Sequence, residues 1–158
     1  MKNIDLREIT LQNLDEVIDL TVGPAQTSLV ADNLYSIAQA GLDPLGWCRA
    51  AYLDDQPVGF MFVKALNEGR NMYLCRFMVG HRHQGQGIGF CMMQVLLQSL
   101  FSSTSVDLVD LAVSREPGGA EGFYQKCGFT ATDEPYRGGW RMVLMRTQFQ
   151  MLQTALDA

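Results

Sequence analysis

The segment HRHQGQGIGF, His81 to Phe90, sets Gly85, Gly87 and Gly89 at every second position between an apolar run and a longer one. A backbone this bare can approach a bulky anion closely. The first amides of a following helix, with the positive end of its dipole, then hold a diphosphate without many basic side chains. A nucleotide-hydrolysis loop needs Lys and Ser or Thr after its last glycine, and neither follows here. A dinucleotide fingerprint needs G-x-G-x-x-G beside the first strand with an acid about 20 residues on, whereas the spacing here is G-x-G-x-G after a central strand. A glycine-rich turn that holds nothing stays open as the plain alternative. His81 and His83 flank the loop without a cysteine or carboxylate beside them, so no metal is expected.

The bulk properties narrow the class. A chain of 158 residues with 47% apolar composition fits one domain with its own core. Its net charge of -5 disfavours nucleic acid, whose binding draws on Lys and Arg against phosphate. Cys48, Cys75, Cys91 and Cys127 are widely spaced, with no C-x-x-C pair, which predicts reduced thiols. Charges interrupt the first ten residues and no apolar run reaches about 18 residues, so neither leader nor membrane span is expected. The expectation is a soluble cytoplasmic protein.

The elements that must position the glycine loop follow from periodicity. Ile4, Leu6 and Ile9 predict a short strand. Thr10 then stands before LQNLDEVIDL, whose apolar residues recur at helical spacing, so a helix is expected over 11–20. A second helix is expected from Ser28 to Ala40, closed by a left-handed Gly41 and stopped by Pro44. WCRAAYL and PVGFMFVKAL read as a hairpin around Asp54 to Gln56, and NMYLCRFMV, Asn71 to Val79, as the next strand. IGFCMMQVLLQSLF reads as a helix from about Gly87 to Phe101, and VDLVDLAV, Val106 to Val113, as a strand, which makes a βαβ-like crossover with parallel pairing. A short helix in GGAEGFYQKC and strands in GFTAT and WRMVLMR complete a mixed α/β sheet. In the tail, Phe149, Leu152 and Leu156 make one apolar helix stripe suited to the core or to a second subunit.

Two segments carry a resemblance. MVGHRHQGQGIG resembles the acyl-CoA loop of the GNAT acetyltransferase superfamily, with Gln84, Gly87 and Gly89 on the positions of Arg/Gln-x-x-Gly-x-Gly/Ala. AEGFYQKCGF resembles that superfamily's Ala-x-x-Phe-Tyr-x-x-x-Gly-Phe segment, with Ala120, Phe123, Tyr124, Gly128 and Phe129 in register. The resemblance covers nearly the whole chain, and among subgroups it is nearest to bacterial polyamine N-acetyltransferases. It departs at Pro117, where many members carry Asn, and at His81, where Pro is common.

The resemblance implies one GNAT domain over residues 1–158, with 147–158 an appended amphipathic helix on a mostly antiparallel twisted sheet of six to seven strands. It implies acetyl-CoA as co-substrate, its diphosphate on the amides of Gln84, Gly85, Gln86, Gly87, Ile88 and Gly89, its pantetheine arm beside Met78 and Val79, and Phe123 and Tyr124 near the cofactor. Tyr124 is then the acid that protonates the leaving thiolate, with a satisfied buried phenol as the plain alternative. Glu121 or Asp110 is a candidate base, and a water chain is the other. The implied acceptor is a primary amine, a polyamine first, with amino acids, aminoglycoside-like amines and protein N-termini as alternatives. Asp32, Glu121, Asp133 and Glu134 are candidates to hold a second ammonium, and Tyr35 and Trp47 to wall it by cation–π contact. A homodimer is expected. A CoA-binding relative without turnover is the competing class, because Pro117 removes a cofactor contact.

Overall fold

Apolar runs become strands where pairing buries them, and the computed structural model, which describes residues 2–158, shows which do. The elements are β1 (Ile4–Arg7), α1 (Leu14–Ile18), α2 (Asn33–Leu42), β2 (Gly46–Leu53), β3 (Gln56–Leu66), β4 (Asn71–Val79), α3 (Ile88–Ser102), β5 (Leu108–Val113), α4 (Glu121–Lys126), β6 (Thr130–Tyr136), β7 (Gly139–Met145) and α5 (Arg146–Asp157). The strands form one seven-stranded sheet in the order β1-β2-β3-β4-β5-β7-β6. It is mostly antiparallel, with β4 and β5 parallel as the crossover predicts. The chain divides into two compact units, the first reaching Lys64 and including Leu74–Gln98, the second comprising Ala65–Tyr73 and Ser99–Ala158.

In the first unit, β2 and β3 join through Asp54 and Asp55, both with left-handed backbone (φ 50° and 63°), the mirror-image turn that matches strand twist. Gln56 therefore belongs to β3 and not to the turn. Residues Val58 to Val63 of β3 are buried without alternation, apart from Gly59 a run of large side chains, as a central strand covered on both faces requires. Val17, Ala50, Tyr52, Phe60, Phe62 and Met78 form one cluster of the core. Gly59 is needed for close approach: a Cβ there would stand 2.6 Å from the Met78 carbonyl oxygen and would overlap the Met92 side chain of α3.

Both early helices are shorter than the periodicity predicts. The first starts at Leu14, because the Asn13 side chain accepts from the Thr10 amide (2.8 Å) and folds 10–13 into a turn, leaving Leu11 almost fully exposed. The second starts at Asn33, where Asp32 caps it by accepting from the Tyr35 amide at 2.7 Å. Gly41 lies inside that helix with ordinary backbone, and the helix ends at Leu42. Asn33 itself is buried and donates to the Val17 carbonyl (2.9 Å) and the Leu20 carbonyl (3.3 Å), tying α2 to the end of α1 and the residues just past it.

In the second unit, β5 pairs antiparallel with β7 and β7 with β6. The parallel register of β4 with β5 covers only Asn71 to Tyr73, opposite Leu108 to Asp110. β5 begins at Leu108 and not at Val106, whose carbonyl is taken by Arg146 Nε at 2.8 Å. β6 runs to Tyr136, beyond the expected GFTAT. On α5, Phe149 is buried and stacks on Phe101 with centroids 5.1 Å apart, while Leu152 and Leu156 stay exposed, so the predicted apolar stripe is covered only at its start.

Candidate active site

The glycine loop forms where β4 ends. His81–His83 make one tight turn, Gln84 is extended, and Gly85 and Gly87 adopt left-handed backbone (φ 72° and 75°) before α3 opens at Ile88. A Cβ added at Gly85 or Gly87 would meet nothing within 4 Å, so backbone conformation and not packing selects glycine. Gly89 is different: it lies within α3 and has ordinary helical backbone. The amide of Cys91 makes the first helical bond, to the Gly87 carbonyl at 3.3 Å. Among the described residues, no protein acceptor stands against the amides from Gly85 to Phe90. These are the orphan donors of a helix start, extended by a glycine turn into an anion-binding geometry.

The side chains around the loop are held in place. Gln84 Nε2 donates to the Val79 carbonyl (3.0 Å) and to Gln26 Oε1 (2.8 Å), so both of its amide hydrogens are used. Gln86 Nε2 donates to the Arg82 carbonyl at 3.1 Å. Ile88 is buried and anchors the first turn of α3. Met78 is buried on β4, its sulfur 3.8 Å from Asn33 Nδ2. Gln26 was not among the residues singled out from sequence; a lone glutamine in a loop carries no spacing signal. The imidazole of His81 lies against Gly23, 2.9 Å from where a Cβ there would be.

In the second unit, α4 carries Glu121, Phe123 and Tyr124. The Tyr124 ring packs edge-on against Phe123 (5.2 Å) and Phe129 (5.9 Å). The residue keeps part of its surface, but its hydroxyl is enclosed enough that burial, with smaller contributions from Cys127 and Tyr73, pushes the phenol above its ordinary range. Such a phenol is a neutral hydrogen-bond donor, the form required of a proton donor. Glu121 is less available than the sequence suggests, with Arg115 Nε 3.7 Å from its carboxylate. Asp110 is fully buried and accepts from Arg141 Nε at 3.0 Å and Asn71 Nδ2 at 3.4 Å. Its Oδ1 and the Oδ1 of Asn71 have no protein partner.

The loop holding Pro117 folds on itself: the Gly119 amide donates to the Glu116 carbonyl (3.0 Å), and a Cβ on Gly119 would stand 2.5 Å from the Ser114 carbonyl oxygen. The residues expected to recognise a second ammonium are already engaged. Asp32 caps α2. Asp133 lies 3.2 Å from Arg115, and Glu134 3.3 Å from Arg141. Tyr35 is exposed, and the Trp47 ring faces Arg49, whose guanidinium carbon is 4.9 Å from the ring centroid. Arg115, which sequence spacing does not single out, links Glu121 of α4 to Asp133 of β6, and the Arg137 guanidinium, equally unannounced, lies 4.3 Å from the Tyr73 ring centroid.

Comparison with known proteins agrees with the fold. Residues 46–149 match the family model described as an acetyltransferase (GNAT) domain. A spermine/spermidine N(1)-acetyltransferase of Bacillus subtilis is 25% identical over 142 residues, covering 84% of this chain and 91% of that protein. Among solved structures, an acetyltransferase from Thermus thermophilus superposes with a TM-score of 0.70 at 21% identity, over 92% of this chain and 99% of that one. A spermidine N-acetyltransferase from Vibrio cholerae, in complex with CoA and spermine, gives a TM-score of 0.72 at 17% identity, over 93% and 98% of the two chains. Because the family model spans most of the chain, from β2 into α5, the chain belongs to the GNAT family of acetyltransferases and is an N-acetyltransferase of that family.

Proposed function

We propose that the chain transfers acetyl from acetyl-CoA to a primary amine of a small molecule by direct attack in a ternary complex. The observation that carries this reading is the run of unpartnered amides from Gly85 to Phe90 at the start of α3, which suits a diphosphate. The pantetheine arm adds along Met78 and Val79 in the manner of an extra strand. A backbone N–H of this stretch polarises the thioester carbonyl. Acetyl-CoA supplies the acyl group and a thiolate leaving group. The amine nitrogen forms the new bond to the carbonyl carbon, the carbon–sulfur bond breaks, and Tyr124 gives its proton to the departing sulfur.

Glu121, linked to Arg115, is the candidate to take the proton from the ammonium, through water. Polyamines, the substrates named for the relatives, are the first acceptors to assay, followed by amino acids, aminoglycoside-like amines and protein N-termini. We extend the proposal to a homodimer, the assembly that the apolar tail implies; sedimentation at the mass of one chain rules that out. The test of the chemistry is release of free CoA thiol from acetyl-CoA across an amine panel. Amine-dependent release above hydrolysis is expected. CoA binding without any such release overturns acetyl transfer.

A further inference from the structure

The glycine loop cannot hold its own shape. Gly85 and Gly87 have wide backbone freedom, and a Cβ at either would meet no atom within 4 Å, so neighbouring side chains do not pack it into place. Side-chain tethers do that instead. Gln86 Nε2 donates to the Arg82 carbonyl at 3.1 Å, and the buried Ile88 fixes the start of α3. Gln84 reaches furthest along the chain, donating one Nε2 hydrogen to the Val79 carbonyl (3.0 Å) and the other to Gln26 Oε1 (2.8 Å). With both hydrogens directed, the side chain has one orientation, and its extended backbone (ψ 157°) sets where left-handed Gly85 begins.

Gln26 is itself firmly placed. It ends the tight turn Pro24–Gln26 between α1 and α2, where proline presets the backbone, and its amide donates to the Gly23 carbonyl at 2.9 Å. Two further contacts press this turn against the end of β4. The His81 amide donates to the Thr21 carbonyl at 2.7 Å, and the His81 ring stands 2.9 Å from where a Cβ on Gly23 would be, so glycine lets the two segments meet. The acceptor oxygen thus arrives at Gln84 on a short, anchored arm. All of these residues belong to the first unit.

We propose that Gln26 is a positioning residue for the cofactor: through Gln84 it keeps the loop in the shape that offers the amides from Gly85 to Phe90 to one diphosphate. The inference rests on the acetyl-transfer reading, in which those amides hold acetyl-CoA, and adds to it a residue from a segment that carries no motif. Without the Gln26 acceptor the loop divides its time among several shapes, and the apparent affinity falls with the fraction that stays competent. By reciprocity, CoA on the loop favours the Gln26–Gln84 bond and steadies the segment from Gly23 to Leu29, whose Leu29 amide donates to the Gln26 carbonyl at 2.9 Å.

The experiment compares the wild type, Gln26→Met, Gln84→Met and the double variant by calorimetric titration with CoA and by steady-state kinetics in acetyl-CoA. Gln26→Met is expected to raise the Kd for CoA and the KM for acetyl-CoA together by about threefold to tenfold, with the loss in KM and not in kcat. Gln84→Met loses both bonds and should weaken binding at least as much. The double variant should be no weaker than Gln84→Met, because Gln26 acts through Gln84. Hydrogen exchange separates this role from general loosening of the fold: CoA should slow exchange at the amides of residues 23–29 in the wild type and much less in Gln26→Met. Unchanged Kd and KM in Gln26→Met, losses that add in the double variant, or equal protection by CoA in both proteins overturns this role and leaves acetyl transfer standing. A wild type that binds no CoA overturns both.

Discussion

At the scale of single residues, the proposed chemistry falls on two types of group. In the proposed mechanism Tyr124 contributes a hydroxyl that burial keeps protonated, and its work falls on the departing sulfur and not on ground-state binding. Tyr124→Phe is therefore expected to lower kcat by about a hundredfold or more with little change in acetyl-CoA affinity, as measured by steady-state rates and calorimetric titration. Unchanged turnover removes Tyr124 from the mechanism. Gly87 contributes its backbone, and Gly69, with similar left-handed backbone (φ 83°) and equally open space, serves as its control. Gly87→Val and Gly69→Val each strain the chain by roughly 1–2 kcal/mol, so both should lose thermal stability alike. Only Gly87→Val should weaken CoA binding, by about tenfold or more, equivalent to 1.4 kcal/mol; equal CoA affinities would show that the diphosphate lies elsewhere. The glycine and tyrosine motifs were legible in the sequence because their spacing is local. Gln26, Arg115 and Arg137 were not, because nothing about a single glutamine or arginine announces which distant group it will meet.

At the scale of elements, strand pairing turns isolated charges into a network. Asp110 on β5 and Arg141 on β7 sit close in the antiparallel register, and Arg141 also reaches Glu134 on β6. Burial opposes the charge of Arg141, and its hydrogen bonds to Asp110 and Glu134 outweigh that cost and raise its pKa. Arg141→Leu strands the fully buried Asp110 carboxylate and is expected to destabilise the protein by about 3–5 kcal/mol in urea unfolding, most of it recovered when Asp110→Asn is added. A loss no larger than that of an average surface substitution would show that the pair is dispensable. Strands and the long α3 were readable because a run of apolar residues with period two or 3.6 needs only its own neighbours. The first two helices were misread at their starts, since Asn13 and Asp32 compete for backbone amides in ways that period does not record. Gly41, read as a helix stop, is carried through the helix because tertiary context outweighs a propensity of about 1 kcal/mol.

At the scale of the whole molecule, burial sets how the chain responds to pH. The Cys127 thiol is pushed by burial from 9.0 to about 12, and Cys48 likewise by burial, then by Cys75, against the pull of Arg49. A pKa raised in the folded state means that folding favours the neutral thiol. This contribution is complete below pH 9 and is lost as pH rises toward about 12. The Cys127 thiol is expected to resist iodoacetamide at pH 9 in the native protein and to react quickly in denaturant, as read by mass spectrometry; rapid labelling of Cys127 in the native chain would contradict its burial. By itself the sequence determined the fold class, the strand and helix order and the two family motifs, because these depend on short-range periodicity and spacing. Only tertiary structure decided that the acids named for an ammonium are committed to arginines and caps, that Asp110 is buried, and that Arg137 rests on Tyr73. Those outcomes depend on which residues the strand register brings together across long stretches of chain, and register is set by packing and not by any local pattern.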